Sequence, residues 1–278
     1  MSVLQREECH QRFLKFIEKM FKGTIQEGLI ELDFDRVYFY LELLDKAGLL
    51  GDGKRVVDLG GGLSIFAPLL QSYGSQVIIV DDFGGGGGVN TETRERDLQM
   101  LRDFKELGIE IEEKDFLTQP LDLESGSCDA VVCFHSLEHW HNSPKRLFHE
   151  LVRILKVGGH IVLATPNAVN VRKRISVLFG KTNFPRLEEW YEEEPVFRGH
   201  VREPILEDLQ NLLVWNGFEV VGSHGRNFIG RRSERLRNLP AGLVKGLATV
   251  SEVVLKFFPR MCSDIHVVGK KLEKGAKK

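Results

Sequence analysis

Asp58-Leu59-Gly60-Gly61-Gly62 sets a carboxylate two residues ahead of consecutive glycines. Glycine lets the chain turn sharply and lets a ligand come close to the backbone. A plain strand-to-helix turn rarely needs three glycines in a row. A dinucleotide turn of the G-x-G-x-x-G kind wants Gly or Ala three residues after Gly62, for tight helix packing, and this chain has Ile65 there. Asp58 would also repel a pyrophosphate, whereas it suits a ligand that carries a cationic ammonium group. A second acidic pair, Asp81-Asp82, ends the apolar run Gln76-Val77-Ile78-Ile79-Val80. A carboxylate at that place can accept hydrogen bonds from both hydroxyls of a ribose. Asp81 directly follows the run and is the first choice, with Asp82 the second; capping a helix is the plainer use of either.

The elements that must position these groups follow from periodicity. Residues 1–50 read as helices, with Phe13, Phe16, Ile17 and Met20 at helical spacing and a second such pattern over Val37 to Leu50. From there strands and helices alternate. Strands are expected at 55–59, 76–80, 109–111, 129–134 and 160–164, then at 217–221 and 264–270. Helices are expected at 63–73, 93–107, 144–155, stopped by Gly158-Gly159, and 204–216. The alternation predicts an α/β fold with a mostly parallel sheet and helices on both faces. Such sheets bind ligands beyond the carboxyl ends of their strands, where both acidic motifs fall.

The acid-x-Gly-x-Gly run resembles the first motif of the class I S-adenosylmethionine methyltransferases. Cys128 to Asn167 strengthens the resemblance: a strand, Leu137-Glu138-His139, a helix running into Arg153-Ile154-Leu155-Lys156-Val157-Gly158-Gly159, a strand, then Thr165-Pro166-Asn167. The chain looks similar to the broad group resembling ubiquinone-biosynthesis O-methyltransferases, over roughly residues 50 to 222. Ser64 departs mildly, since family members often carry glycine there. The resemblance implies S-adenosylmethionine as cofactor, and a Rossmann-like, mostly parallel seven-stranded sheet whose final strand, 264–270, is antiparallel. It implies that Gly60 and Gly62 border the methionine moiety with Asp58 near its amino group. Asp115 would bond the adenine amino group and Phe116 would pack on the ring, although Asp115 could equally be a turn residue. His135 and Ser136 would lie beside the methionine part.

An oxygen acceptor must lose a proton during methyl transfer, and a base near neutral pH can take it. His139 is the first candidate and His200 the second, each with a structural hydrogen-bonding role as the plainer reading; His141 is a lesser one. Glu138 could orient a partner, or hold a metal as acids do in some relatives. Spacing shows no compact metal-ligand cluster, and no metal is expected. The acceptor is expected to be small or lipid-linked, with oxygen favoured and nitrogen or carbon open. An RNA methyltransferase, a nicotinamide-dependent oxidoreductase and a cofactor-binding protein without turnover are the alternatives. No recognisable RNA-binding module accompanies the basic part, so nucleic acid is disfavoured as a partner.

The 278 residues, 42% hydrophobic and 28% charged, suit an ordinary globular domain with added segments. The expected organisation is an N-terminal helical segment, 1–50, and a cofactor-binding domain, 51–278, with lid-like insertions at 168–203 and 224–263. The first insertion carries Phe179, Phe184, Trp190, Tyr191 and Phe197, which suits a lid over an apolar or ring-shaped acceptor, or a satellite hydrophobic cluster. Residues 222–278 hold 13 Lys/Arg against 4 Asp/Glu, whereas the rest holds 25 against 36. The basic run Arg231 to Arg237 precedes a largely apolar helical pattern, Leu239 to Phe258. Covering the sheet or the active site is the favoured use of that pattern; a homodimer surface and contact with an anionic membrane are the others. Gly84 to Gly88 has no chemical role assigned. Four unpaired-looking cysteines, a charged N-terminus and no long apolar stretch point to a cytoplasmic protein, peripheral at a membrane if the last reading holds.

Overall fold

The computed structural model describes residues 4–22, 30–83, 91–227 and 257–273, with side chains left out at 91–94. The Gly84–Gly88 run, the Arg231–Arg237 run and the apolar pattern up to Lys256 lie outside the described residues. The strands are β1 (Arg55–Leu59), β2 (Gln76–Asp81), β3 (Glu110–Glu113), β4 (Cys128–Phe134), β5 (Leu155–Pro166), β6 (Phe218–Arg226) and β7 (Asp264–Lys271). They form one sheet in the order β3-β2-β1-β4-β5-β7-β6. β1 runs parallel to β2 and β4, and β2 to β3, while β7 is antiparallel to both β5 and β6. The expected fold is therefore the observed one. Among the described residues, no helix is long and apolar enough to cross a membrane.

The chain divides into two compact units, Met1–Val132 with Arg153–Gly159, and Cys133–Val152 with His160–Lys278. In the first, Val56, Val57 and Leu59 of β1 and Val77 to Val80 of β2 are buried almost without a break. Continuous apolar strands of this kind suit a parallel sheet covered on both faces. Helices α1 (Arg6–Met20) and α2 (Ile30–Lys46) belong to this unit, so the N-terminal segment shares a compact body with β1 to β3. Phe13 of α1 packs at 5.4 Å, ring centre to ring centre, on Phe34 of α2. Arg12 stacks over Tyr73 at 4.4 Å and donates to the Ser72 carbonyl, which ties α1 to the end of α3 (Phe66–Gln71). Helix α4 spans Thr91–Glu106, and α5 spans Lys145–Ile154 with Leu147, Phe148, Leu151 and Ile154 buried at helical spacing.

Two strand boundaries differ from the expected ones. β5 begins at Leu155, so Gly158 and Gly159 sit inside a strand rather than ending a helix. A side chain at Gly159 would meet the Lys156 carbonyl at 2.9 Å and the Asp129 carbonyl at 3.1 Å, so the glycine allows a close backbone approach. β6 continues through Gly222-Ser223-His224-Gly225, past the expected end at 221, because β7 pairs with them across an irregularity between Val220 and Gly222. Gly225 is required there, since a Cβ would meet Cys262 Sγ at 2.6 Å.

The second unit is held by its buried strand β7 and by α8 (Leu206–Trp215), whose Leu213 reaches the position where Gly269 leaves room. Asn167, fully buried just past β5, fastens the turn before β7. Its Nδ2 donates to the carbonyls of Arg260 (3.0 Å) and Cys262 (2.9 Å), and its Oδ1 accepts from the Val169 N–H (3.0 Å). Replacing a group with several buried bonds leaves its partners unsatisfied. Asn167→Ala is expected to lower unfolding stability by about 2–4 kcal/mol, measured by urea denaturation, against a surface control such as Asn211→Ala within about 0.5 kcal/mol.

Candidate active site

In the first unit the β1 register pairs Asp58 with Ile79 and Leu59 with Val80, so the two acidic strand ends lie side by side. The turn after β1 needs glycine at Gly60 (φ 68°) and Gly62 (φ 55°), both in the left-handed region. At Gly61 the demand is steric: a Cβ would stand 2.2 Å from the Asp58 carboxyl carbon. The backbone thus lies directly over the Asp58 carboxyl group.

Asp58 is 1% exposed, and neither carboxylate oxygen has a hydrogen-bond partner. Burial first, then the neighbouring charge of Asp81, pushes its pKa up to about 7. A buried anion without partners is costly, and a cationic group placed against it would remove that cost. Asp81 differs: its Oδ2 accepts from Gly62 N–H at 2.9 Å and its Oδ1 from Phe83 N–H at 2.7 Å. Desolvation raises its pKa while these backbone donors work the other way. Each oxygen keeps a lone pair for a further donor, such as a hydroxyl. Asp82 follows, half-buried.

Asp115 and Phe116 come just after β3, whose register sets Asp81 opposite Glu113. The Asp115 carboxylate works in its own turn, accepting from Leu117 N–H at 3.0 Å and Thr118 Oγ1 at 2.6 Å. Phe116 is buried. The geometry here is that of a turn-forming aspartate, one of the two uses anticipated for it.

The second unit gathers the histidines. His135 directly follows β4 with φ 53°, a left-handed conformation that costs a non-glycine residue about 1–3 kcal/mol. Its N–H donates to the Ala164 carbonyl at 2.8 Å. Its ring stands between two buried acids, Nδ1 at 3.5 Å from Glu138 Oε1 and Nε2 at 3.7 Å from Asp264 Oδ1. Behind it His266 is fully buried, and that burial, then the proximity of His135, holds its pKa well below the ordinary imidazole value. The hydroxyl of Ser136 accepts from Trp140 Nε1 at 3.0 Å, so it anchors the following turn.

His139 and His200 lie far apart in sequence but in edge-to-face contact, ring centres 4.9 Å apart. His139 Nδ1 is 2.7 Å from the Arg198 carbonyl, and His200 Nδ1 is 2.8 Å from Glu203 Oε1. Each partner accepts, so each Nδ1 carries a proton. Burial lowers the His200 pKa, which favours the neutral ring with a lone pair on Nε2. Glu203 also pairs with Lys173, whose own pKa burial brings down to about 8. The Glu138 carbonyl accepts from the N–H groups of Val201 (2.8 Å) and Arg202 (3.1 Å), fixing this segment on the turn Leu137–His139. His141 is exposed.

Residues 168–203 form helices α6 (Val171–Leu178) and α7 (Leu187–Glu192), neither with a buried residue. The segment borders an open cavity of about 840 Å³ whose wall includes Val169, Lys173, Phe184, Phe197, His200 and Glu203. Phe179, Phe184, Trp190 and Tyr191 are exposed, so they do not make a satellite core. Lys173, Glu203, Asp264 and His266 were not singled out in the sequence. Only the three-residue spacing of Glu203 from His200 offered a local hint.

The Asp58 shift has a definite sign. Unfolded, Asp58 ionises near its ordinary value of 3.8; folded, near 7. As pH rises between those values the unfolded chain releases a proton that the folded one keeps, so stability falls, by an upper bound on the order of 4 kcal/mol. Asp58→Asn is expected to lose this downward slope, read as unfolding free energy against pH in urea titrations of the ligand-free protein. An unchanged slope would mean that Asp58 is ionised and solvated.

Residues 33–223 match the family described as the methyltransferase domain. The ubiquinone biosynthesis O-methyltransferase of Burkholderia thailandensis is 30% identical over 129 residues, 46% of this chain and 50% of the relative. The match spans about half the length or less of the curated relatives it reaches. The fold is that of an S-adenosylmethionine-dependent methyltransferase from Archaeoglobus fulgidus (TM-score 0.52, 21% identity, 93% of this chain and 99% of that one). It is also that of Haemonchus contortus phosphoethanolamine N-methyltransferase 2, solved with phosphomonomethylethanolamine and S-adenosylhomocysteine (TM-score 0.52, 17% identity, 94% and 60%). S-adenosylmethionine carries an ammonium group, which is what the unpartnered Asp58 carboxylate beneath Gly61 suits, so the residues present fit the cofactor better than a nicotinamide dinucleotide. This chain belongs to the class I S-adenosylmethionine-dependent methyltransferases.

Proposed function

We propose that this protein methylates a small, largely apolar acceptor at oxygen, and that residues 168–203 form the lid under which the acceptor sits. The observation that carries the reading is the cavity built from that segment with His200 in its wall. A volume of about 840 Å³ lies in the range of small-molecule sites. Phe184 and Phe197 offer apolar ring faces, and the Lys173–Glu203 pair offers polar contacts at one side. The curated relatives named as O-methyltransferases favour oxygen.

Bound S-adenosylmethionine supplies a methyl group already activated on a sulfonium sulfur, so the protein's work is positioning and proton handling. Asp58 would hold the ammonium group and Asp81 the ribose hydroxyls. The turns at Gly60, Gly62, Asp115 and Phe116, with His135 and Ser136, would border the remainder, and Asp82 would stand in for Asp81 if the ribose lay one residue further on. For the acceptor, His200 Nε2 has the free lone pair needed to take the hydroxyl proton as the oxygen gains the methyl group. Glu203 fixes the tautomer and stabilises the imidazolium that forms. His139 lies against His200 and would position it, or serve as base for a differently seated acceptor. A lipid-linked acceptor would extend past the exposed side chains of Phe179, Trp190 and Tyr191, with the membrane as its source.

Isothermal titration calorimetry with S-adenosylmethionine should show binding that Asp81→Ala weakens by at least about tenfold, the loss of a pair of hydrogen bonds to a charged group. His200→Ala should leave cofactor affinity within about twofold while slowing methyl transfer to a panel of phenols by roughly 10²–10⁴. Loss of cofactor binding in His200→Ala, or unchanged turnover, would remove its assignment as base.

A further inference from the structure

Lys173 of α6 and Glu203, just past His200, form an ion pair in the wall of the acceptor cavity. We propose that Lys173 is a positioning residue for methyl transfer: through Glu203 it aims His200, so that the base is set only when α6 is seated on the segment that carries it. This rests on the reading of His200 as base and extends it to the helix that carries Lys173.

Glu203 divides its two oxygens. Oε1 accepts from His200 Nδ1 at 2.8 Å, and Oε2 takes the Lys173 ammonium. A carboxylate held at one oxygen alone can turn about its last bond, whereas one held at both has a fixed plane. The two side chains are only 14% and 15% exposed, so water and salt screen the pair poorly. Glu203 supports Lys173 in return. Burial, then the charge of Arg172, weighs against the Lys173 ammonium, and the carboxylate offsets both. Removing either partner would leave the other as a buried, unpaired charge.

The segment around His200 is fixed independently of α6, because the Val201 and Arg202 N–H groups bond the Glu138 carbonyl on the turn after β4. Helix α6 has no such anchor in packing, since none of its residues is buried. Its lead-in is tied down, with Ala168 N–H donating to the Pro204 carbonyl at 3.2 Å. Asn170 caps its first turn, accepting from Lys173 N–H at 3.0 Å, and Arg174 turns back to the Val169 carbonyl. Among the described residues, the ion pair or hydrogen bond that reaches from the helix itself to the base segment is Lys173–Glu203. Displacing α6 therefore displaces the cation that holds Glu203, and with it the aim of His200. The charged and titratable groups that face His200 are Glu203, Lys173 of α6, Glu138 and His139 of the turn after β4, and His135. The cation behind Glu203 also weakens the pull of that carboxylate on the imidazole proton, which favours the neutral ring from which a base must start.

The test reads the His200 imidazole in the ligand-free full chain, with no acceptor needed. Histidine is labelled with ¹⁵N and long-range ¹H–¹⁵N spectra are recorded against pH, the His200 signals being those lost in His200→Gln. In the wild type the neutral ring should carry its proton on Nδ1. Lys173→Met should raise the pH at which His200 is half protonated by about one unit, because Glu203 is left an unopposed anion. Lys173→Arg, which keeps the cation, should restore the wild-type titration, and Glu203→Gln should move it the opposite way, downward. Amide hydrogen exchange over residues 171–178 should quicken in Lys173→Met and Glu203→Gln. Far-UV circular dichroism and cofactor affinity check the fold of each variant, with Lys173→Gln replacing Lys173→Met should that one not fold. Faster exchange with an unmoved His200 titration would mean that Lys173 only holds the helix down, and would overturn the proposal. A neutral wild-type ring protonated on Nε2 would overturn it too. Turnover of His200→Ala tests the base assignment by itself, so the two can fail separately.

Discussion

The buried carboxylate of Asp58 is the constraint around which the first unit is arranged. It stands at the end of a strand with no hydrogen-bond partner and with glycine backbone pressed over it. Such a group lowers the stability of the ligand-free fold at neutral pH. It persists because the strands on which it is mounted are apolar, continuous and locked in register with β2. The stability that β1, β2 and the cover from α1, α2 and α3 supply offsets the strain at the strand end. Asp81, one strand over, shows the complementary solution: it is satisfied by two backbone donors, and so it holds the glycine turn in place while keeping lone pairs to spare.

The second unit repeats this logic with different chemistry. β7 runs antiparallel between β5 and β6, which brings Asp264 and His266 to the flank of His135. A left-handed backbone at His135 aims its ring between two buried acids. The turn that follows presents Glu138 and His139, and hydrogen bonds from residues 201 and 202 bring His200 to them. Asp58 and Glu138, buried carboxylates whose oxygens have no hydrogen-bond partner, stand at the end of β1 and just past β4, on the side where an α/β sheet of this kind binds its ligands.

Much of the fold could be read directly from the chain because its strands are apolar runs bounded by acids and glycines. β1, β2 and β4 fell within a residue or two of expectation. β5 and β6 did not, because glycine in a strand is legible only through its neighbours: Gly159 and Gly225 are there to admit other backbone and side chains, a tertiary demand with no local signature. The site divides in the same way. Asp58, Gly60, Gly62 and Asp81 are close in sequence to the elements that aim them, and their motif exposes them. The meeting of His139 with His200 joins residues far apart in sequence, so spacing along the chain could not reveal the cluster with Glu138. Asp115 was legible both as an adenine partner and as a turn residue, and its carboxylate is engaged by its own turn. The basic and apolar stretch from Arg231 to Lys256 lies outside the described residues, and its covering, dimer and membrane readings stay as sequence expectations.

The central claim is that Asp58 stays protonated in the free protein and ionises to receive the cofactor's ammonium group. Calorimetry of S-adenosylmethionine binding at pH 6, repeated in buffers of different ionisation enthalpy, reads this directly. With a free-protein pKa of about 7, binding should release close to one proton per cofactor at pH 6, and the release should vanish in Asp58→Asn. Binding without proton release in the wild type, or the same release in the variant, would contradict the account.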